Sequence, residues 1–206
     1  NKSTTATSSF TIDRTGPAAN AEAKLTDDPD SDGFLLNATL SDSSITSIKI
    51  DGVDFDFTSG DSSVSISNFK TDKPTISITS TDSLGNSSTI TVTTTGATDG
   101  PSVTINSPTA SLSTNATSLD IDASVSGASL KKTGAVKLQI LSGTTVVKNP
   151  DAFDLVVNGN SGTFTKNAFD ISTLADGTYT LSLTVTNKSN KSTTATSSFT
   201  IDRTGP

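Results

Sequence analysis

The sequence contains no cysteine, histidine, methionine or tryptophan, one tyrosine and a single glutamate, Glu22, among 21 acidic residues. Without cysteine there is neither a disulfide staple nor a thiolate metal site. Without histidine the commonest general base and the usual zinc ligand are missing. Serine and threonine hydroxyls abound, but no imidazole can activate them. A Ser–Lys pair or a paired-aspartate hydrolase would need a concave, water-restricted pocket, so no enzymatic activity is expected. No run of about 18 apolar residues exists to cross a membrane as a helix, and no signal peptide is read. The net charge of −7 comes without the Lys and Arg patches that phosphate contacts require, which argues against nucleic acid. That charge fits solubility alone or a divalent-cation role.

What is present is repetition. Asn1 to Pro17 reads NKSTTATSSFTIDRTGP and returns unchanged as Asn190 to Pro206, a period of 189 residues. Solenoid repeats run to roughly 20–50 residues, so each period must hold whole domains, strung like beads. Aspartate favours turns and short-reach oxygen ligation. Thr, Val and Ile suit half-buried strands.

The chain divides into three parts. Residues 1–17 read as the last strand and linker of a preceding repeat, with Ala6, Ser8, Phe10 and Ile12 alternating against polar neighbours before Asp13-Arg14-Thr15-Gly16-Pro17. Residues 18–98 form a first domain. Its strands are expected at Ala21–Thr26, Phe34–Leu40 and Ile45–Ile50, with a tight turn at Asp51-Gly52. Val53, Phe55 and Phe57 are then expected to face in, and Val64/Ile66, Ile76/Ile78 and Thr89–Thr95 to mark further strands. Residues 99–206, opening on the linker Asp99-Gly100-Pro101, form a second domain. There Val103/Ile105, Leu119–Val125, Val136–Ile140, Phe153–Val157, Phe164 and Tyr179–Val185 mark strands before the returning copy. No helix is expected. Short strands at regular spacing predict an all-β protein built of sandwiches.

Asp176-Gly177-Thr178-Tyr179-Thr180-Leu181, a hairpin, and Phe199-Thr200-Ile201-Asp202-Arg203-Thr204-Gly205-Pro206 resemble the bacterial immunoglobulin-like tandem repeats of giant RTX-type surface adhesins. Thr81-Asp82-Ser83-Leu84-Gly85-Asn86 supplies that family's middle motif. The second domain departs from it, reading Asn187-Lys188-Ser189-Asn190-Lys191. The resemblance covers both domains and implies two immunoglobulin-like β-sandwiches in series, calcium at domain junctions, and a spacer in an extender region. It also implies a location outside the cell, on the bacterial surface, in adhesion and biofilm formation. The partners it implies are neighbouring repeats of the same chain, with no membrane contact and no small-molecule substrate, and the segment is expected to be monomeric. The alternative is a module that binds a glycan or surface directly, for which one tyrosine and no tryptophan offer no aromatic platform. Residues 1–12 are expected to pair with a sheet edge of a neighbouring molecule or to stand for the preceding repeat.

Two groups of residues are candidate calcium ligands. Asp28-Pro29-Asp30-Ser31-Asp32-Gly33 has the D-x-D-x-D-G opening of a calcium loop, in which alternate carboxylates converge on one ion. The twelfth position is Thr39 rather than Glu, so the missing ligand must come from elsewhere, with Asp27 and Asp99 as candidates. In an immunoglobulin-type sandwich, Asp13, Asp42, Asp82 and Asn86 should gather where the linker enters the first domain. The loops carrying Lys131, Lys132, Lys188 and Lys191 are expected to face Asp27–Asp32. Salt bridges, calcium or both could act there. Exposed ion pairs contribute only about 0–1 kcal/mol each, so calcium is the expected stiffener. Tyr179 reads as a tyrosine corner rather than a sugar platform, and the run Thr93-Thr94-Thr95 as ordinary outward strand positions.

Overall fold

The structure is a computed structural model and describes residues 4, 6–9, 12–17, 21–58, 63–94 and 97–205. Among these residues there are strands and no helix. By contact the chain forms two compact units. One is Asn1–Leu25 with Leu36–Phe69 and Thr75–Thr93. The other is Thr26–Leu35 with Lys70–Pro74 and Thr94–Pro206.

The first sandwich comprises β1 (Ala21–Asp27), β2 (Phe34–Leu40), β3 (Ile45–Ile50), β4 (Val53–Phe55), β5 (Val64–Thr71), β6 (Thr75–Asp82) and β7 (Ser87–Thr93). Its sheets run β1-β2-β5 and β4-β3-β6-β7. The period-2 pattern decides which face is buried. Phe34, Leu36, Ala38 and Leu40 of β2 point inward, as do Ile48 and Ile50 of β3 and Ile76 and Ile78 of β6. Each of the Phe, Leu and Ile side chains contributes roughly 1.5–3 kcal/mol through burial. Asp51 and Gly52 both have positive φ, 49° and 83°, as a two-residue I′ turn requires. The Asp51 carboxylate accepts a 2.7 Å hydrogen bond from Ser77 N, which ties that turn to β6.

Val53 corrects the sequence expectation. It pairs with Ile50 but is 69% exposed, because β4 is a three-residue edge strand and its inward direction is not covered.

The second sandwich comprises β8 (Ser102–Ser107), β9 (Leu112–Thr114), β10 (Ser118–Ser126), β11 (Val136–Ser142), β12 (Thr145–Lys148), β13 (Val156–Asn158), β14 (Ser161–Asp170), β15 (Gly177–Thr186) and β16 (Ser192–Ile201). Its sheets run β8-β10-β14-β13 and β12-β11-β15-β16-β9. In immunoglobulin lettering these are A-B-E-D and C′-C-F-G-A′. The pairing is antiparallel except between β16 and β9, which is parallel. Leu119, Ile121, Leu138, Ile140, Leu181, Leu183 and Phe199 meet in one core. The fold is therefore all-β, two tandem immunoglobulin-like sandwiches. The expected strand at Phe153–Val157 is shorter than predicted: Phe153 makes a single bridge to Val136, and pairing resumes only at Val156.

Both sandwiches carry the same irregularity in the fifth strand of the immunoglobulin order. Asn68 (φ 53°) and Ala168 (φ 51°) adopt left-handed backbone. The Asn68 N–H donates to Asn37 Oδ1 at 3.0 Å, and the Ala168 N–H donates to Asp120 Oδ1 at 2.8 Å. A side chain on the neighbouring strand thus satisfies the amide that the bulge removes from the ladder.

The expected strand at 1–12 falls only partly on described residues. Residues 4, 6–9 and 12 have no strand pairing, while 1–3, 5, 10 and 11, including Phe10, lie outside the described residues.

Candidate functional site: linkers, acidic turns and their receivers

In the first unit the linker meets the β6–β7 turn. Asp82 Oδ1 accepts hydrogen bonds from Leu84 N (2.9 Å) and Asn86 N (2.8 Å), and its Oδ2 accepts one from Asn86 Nδ2 (2.9 Å). The Asn86 side-chain bond, opposed by burial and aided by these backbone donors, holds the Asp82 carboxyl below the usual carboxylate range. Asn86 Nδ2 also donates to the Asp13 carbonyl at 3.3 Å. Asp13 closes its own turn, its Oδ1 accepting from Thr15 N (3.0 Å) and Thr15 Oγ1 (2.7 Å). Those bonds, the backbone one first, lower the Asp13 pKa against a repulsion from Asp82. Gly16 packs so closely that a Cβ there would lie 2.4 Å from the Ser87 carbonyl carbon; only glycine permits this approach. Asp13, Asp82 and Asn86 are thus brought together. Asp42 instead caps Ser44, through bonds of 2.8 Å from N and 2.7 Å from Oγ.

The second unit builds the same receiver from different residues. The β15–β16 turn runs Asn187 to Lys191, with Asn187 N donating to Lys191 O and Asn190 N to Asn187 O. Asn187 is fully buried. Its Oδ1 accepts from Lys191 N (3.0 Å), and its Nδ2 donates to the Asp99 carbonyl (3.0 Å). A carboxylate can only accept, so the first unit needs Asn86 to supply the donor that Asp82 lacks. Asn187 does both tasks, which leaves position 191 free to be lysine. Gly100 approaches Ser192 as Gly16 approaches Ser87: a Cβ on Gly100 would lie 2.7 Å from the Ser192 carbonyl carbon.

The acidic loop 27–33 lies within the second unit, which takes in Thr26–Leu35. Asp28 N donates to Gly33 O. The buried Asp28 carboxylate accepts from Asp30 N (2.9 Å) and Ser31 Oγ (2.8 Å), with Lys70 Nζ at 3.4 Å. The Asp30 amide bond, then Ser31, lower its pKa against burial, with help from Lys70. Asp27 Oδ1 accepts from Ser129 Oγ (3.1 Å). Asp32 spreads its two oxygens over Lys132 N (2.6 Å) and Thr133 N (2.8 Å). Burial pushes the Asp32 carboxyl up, but those amides and the Lys188 ammonium outweigh it and the pKa falls. Lys188 Nζ donates to the Asp28 carbonyl at 2.9 Å. The Asp99 carboxylate accepts from its neighbour Thr98 Oγ1 at 3.3 Å, and Asp30 is exposed.

Among the described residues, no three acidic side chains come together as a group that could hold a metal ion. The Asp28, Asp32 and Asp82 oxygens are aimed at N–H and O–H donors. In this arrangement the carboxylates act as caps, and the set does not fit a calcium cage.

Sequence reasoning quoted Arg203 only as part of the repeat motif and assigned it no role. Its Nη1 donates to Leu174 O (2.7 Å) and its Nη2 to Ala116 O and Ile171 O (both 3.1 Å), while Asp176 Oδ2 accepts from its backbone N (3.0 Å). A guanidinium with five donors is suited to gathering carbonyls left at strand ends. The repeat itself carried the signal, since D-R-T-G-P is the part of it richest in turn-forming residues.

Tyr179 is a tyrosine corner, as expected: it is buried, its OH donates to Ala175 O at 2.9 Å, and its ring stacks on Phe199. Outward threonines pair across strands, Thr79 with Thr89 and Thr184 with Thr194, at 2.8 and 2.7 Å. Thr93 likewise meets Thr75 at 3.2 Å; Thr95 lies outside the described residues.

Comparison with models of known families and with curated proteins finds no match. Among solved structures, the chain is similar to an engineered protein at 21% identity, over 54% of this chain and 21% of that one, with a TM-score of 0.35. It thus spans about a fifth of that chain's length. It is similar to the fibronectin(III)-like modules of Clostridium thermocellum CbhA at 12% identity, over 82% of this chain and 85% of that one, with a TM-score of 0.34. It is also similar to a tandem of titin Ig domains at 12% identity, over 89% and 96%, with a TM-score of 0.29. Strand order and packing, rather than these likenesses, carry the fold assignment.

Proposed function

We propose that the chain is one period, plus overlap, of a tandem immunoglobulin-like array in the extender region of a bacterial cell-surface adhesin. Its task is to carry a distal ligand-binding domain away from the cell in adhesion and biofilm formation. The observation that carries this reading is the doubled receiver. In each sandwich an asparagine amide takes the carbonyl of an incoming Asp, and a glycine lies against the adjoining strand. Each linker therefore has a seat built into the domain that follows it, as a chain of domains under load requires. The unchanged return of Asn1–Pro17 as Asn190–Pro206 supports it further, because arrays multiply length more usefully than they multiply active sites.

The seats consist of side-chain amides, carboxylate caps and close glycines, so this reading does not depend on bound calcium. Two experiments test it. Pulling a two-period chain end to end should give two alternating contour-length steps. Domains of about 80 and about 100 residues release roughly 270 and 340 Å at about 3.4 Å per residue. A glycan array probed with the chain should show no binding. A glycan bound specifically would replace the spacer reading with direct recognition.

A further inference from the structure

We infer that Lys188 supplies, from within the chain, the positive charge that the acidic loop 27–33 would otherwise draw from a bound divalent cation. The loop places Asp27, Asp28, Asp30 and Asp32 within six residues. Carboxylates so close repel one another unless a cation or well-placed donors intervene. A calcium loop meets that need with an ion held by carboxylate and backbone carbonyl oxygens together. Here the Lys188 ammonium takes the backbone oxygen, donating to Asp28 O at 2.9 Å, while N–H groups take the carboxylates of Asp28 and Asp32.

Lys188 is held in position from its other end. Its own N–H donates to Ser129 O at 2.8 Å, and Ser129 Oγ donates to Asp27 Oδ1. Ser129 is buried and has a positive φ of 55°, a conformation that costs free energy and persists when its surroundings fix it. The other ammonium at the loop, Lys70, meets the Asp28 carboxylate at 3.4 Å from a side chain 70% exposed. Solvent screens that pair, whereas Lys188 is partly buried. Lys132 contributes its backbone N–H. Of the four lysines that the sequence placed near this loop, Lys188 is the one whose ammonium reaches it. This inference extends the spacer reading but does not depend on it, since it concerns only what balances the loop's charge.

The test is thermal unfolding of the full chain in chelator and in about 5 mM calcium, well above the roughly 0.1–1 mM dissociation constants of extracellular calcium modules. The wild-type midpoint should be the same in both to within about 1 °C. Lys188→Met keeps the aliphatic stem and should melt lower in chelator by about 2–4 °C or more. Lys188→Arg should stay near wild type. The Lys188→Met loss should shrink when Asp30, an exposed member of the loop with no capping role, is changed to Asn, or when calcium is added. A wild-type rise of several degrees with calcium overturns the inference. So does Lys188→Met melting with wild type in chelator, or a Lys188→Met loss that neither Asp30→Asn nor calcium reduces. A glycan hit on the array would leave these outcomes unchanged, so the two readings fail separately.

Discussion

The same seventeen residues occur twice in this molecule, and those described in both copies do not all adopt the same structure. At 192–201 they form a ten-residue strand, paired antiparallel with β15 on one side and parallel with β9 on the other. At the first copy, residues 4, 6–9 and 12 have no strand pairing. Ile201 is 1% exposed, and its counterpart Ile12 is 62% exposed. Yet the turn that follows is the same in both places. Asp13 Oδ1 accepts from Thr15 N and Oγ1 at 3.0 and 2.7 Å, and Asp202 Oδ1 accepts from Thr204 N and Oγ1 at 3.1 and 2.6 Å. A turn made by bonds between residues two apart is written in local sequence. A strand is a property of what lies beside it. Arg203 behaves like the strand: it gathers three carbonyls of the second sandwich, whereas Arg14 is exposed.

The largest test of this contrast is to make one substitution at both copies. Ile201→Ala removes a buried side chain and should cost about 2–5 kcal/mol. Ile12→Ala should change stability by no more than about 0.5 kcal/mol. Urea unfolding of the two variants reads the difference directly, and equal losses would break the contrast.

A smaller effect should be shared by both copies. Asp13 and Asp202 are each held below the ordinary carboxyl value of 3.8, Asp13 first by the Thr15 amide and Asp202 first by the Thr204 hydroxyl. A carboxyl with a depressed folded pKa stabilises the fold above its unfolded value, and that stability is lost as pH falls through the folded pKa. The window for both therefore lies below pH 3.8. Carboxyl NMR titration should show both aspartates titrating below that value. Thr15→Val and Thr204→Val should each move the partner aspartate back toward it. A depressed Asp202 beside an ordinary Asp13 would show that the turn, too, depends on its surroundings.

The same division explains what was readable in the sequence. Strands with a covered face could be read from alternation alone: Ile45–Ile50 falls where it was expected, and Tyr179 and its alternating successors do the same. Val53 could not, because alternation gives a direction and not whether anything covers it. Residues 1–12 alternate as well as β16 does, yet the described ones among them, 4, 6–9 and 12, have no strand pairing. The aspartates were the hardest to place. Spacing identifies carboxylates near one another, but whether they cap amides or hold an ion depends on where backbone N–H groups point, and those belong to residues up to 101 positions away, as Asp32 and Thr133 show. The exchange of Asp82 and Asn86 for Asn187 and Lys191 looked like the loss of a motif. It is the same turn with its donor moved to another residue.

The most direct measurement is amide hydrogen exchange followed residue by residue by NMR on Thr7, Ser8 and Ser9 against Thr196, Ser197 and Ser198 in one sample. The two trios have the same sequence and the same neighbours, so intrinsic exchange chemistry cancels. The ladder amides of the second trio should be strongly protected, while the first trio exchanges close to the unstructured rate. Comparable protection in both would mean that the sequence holds its strand without a neighbouring one, contradicting the claim that a repeat is completed by the domain beside it.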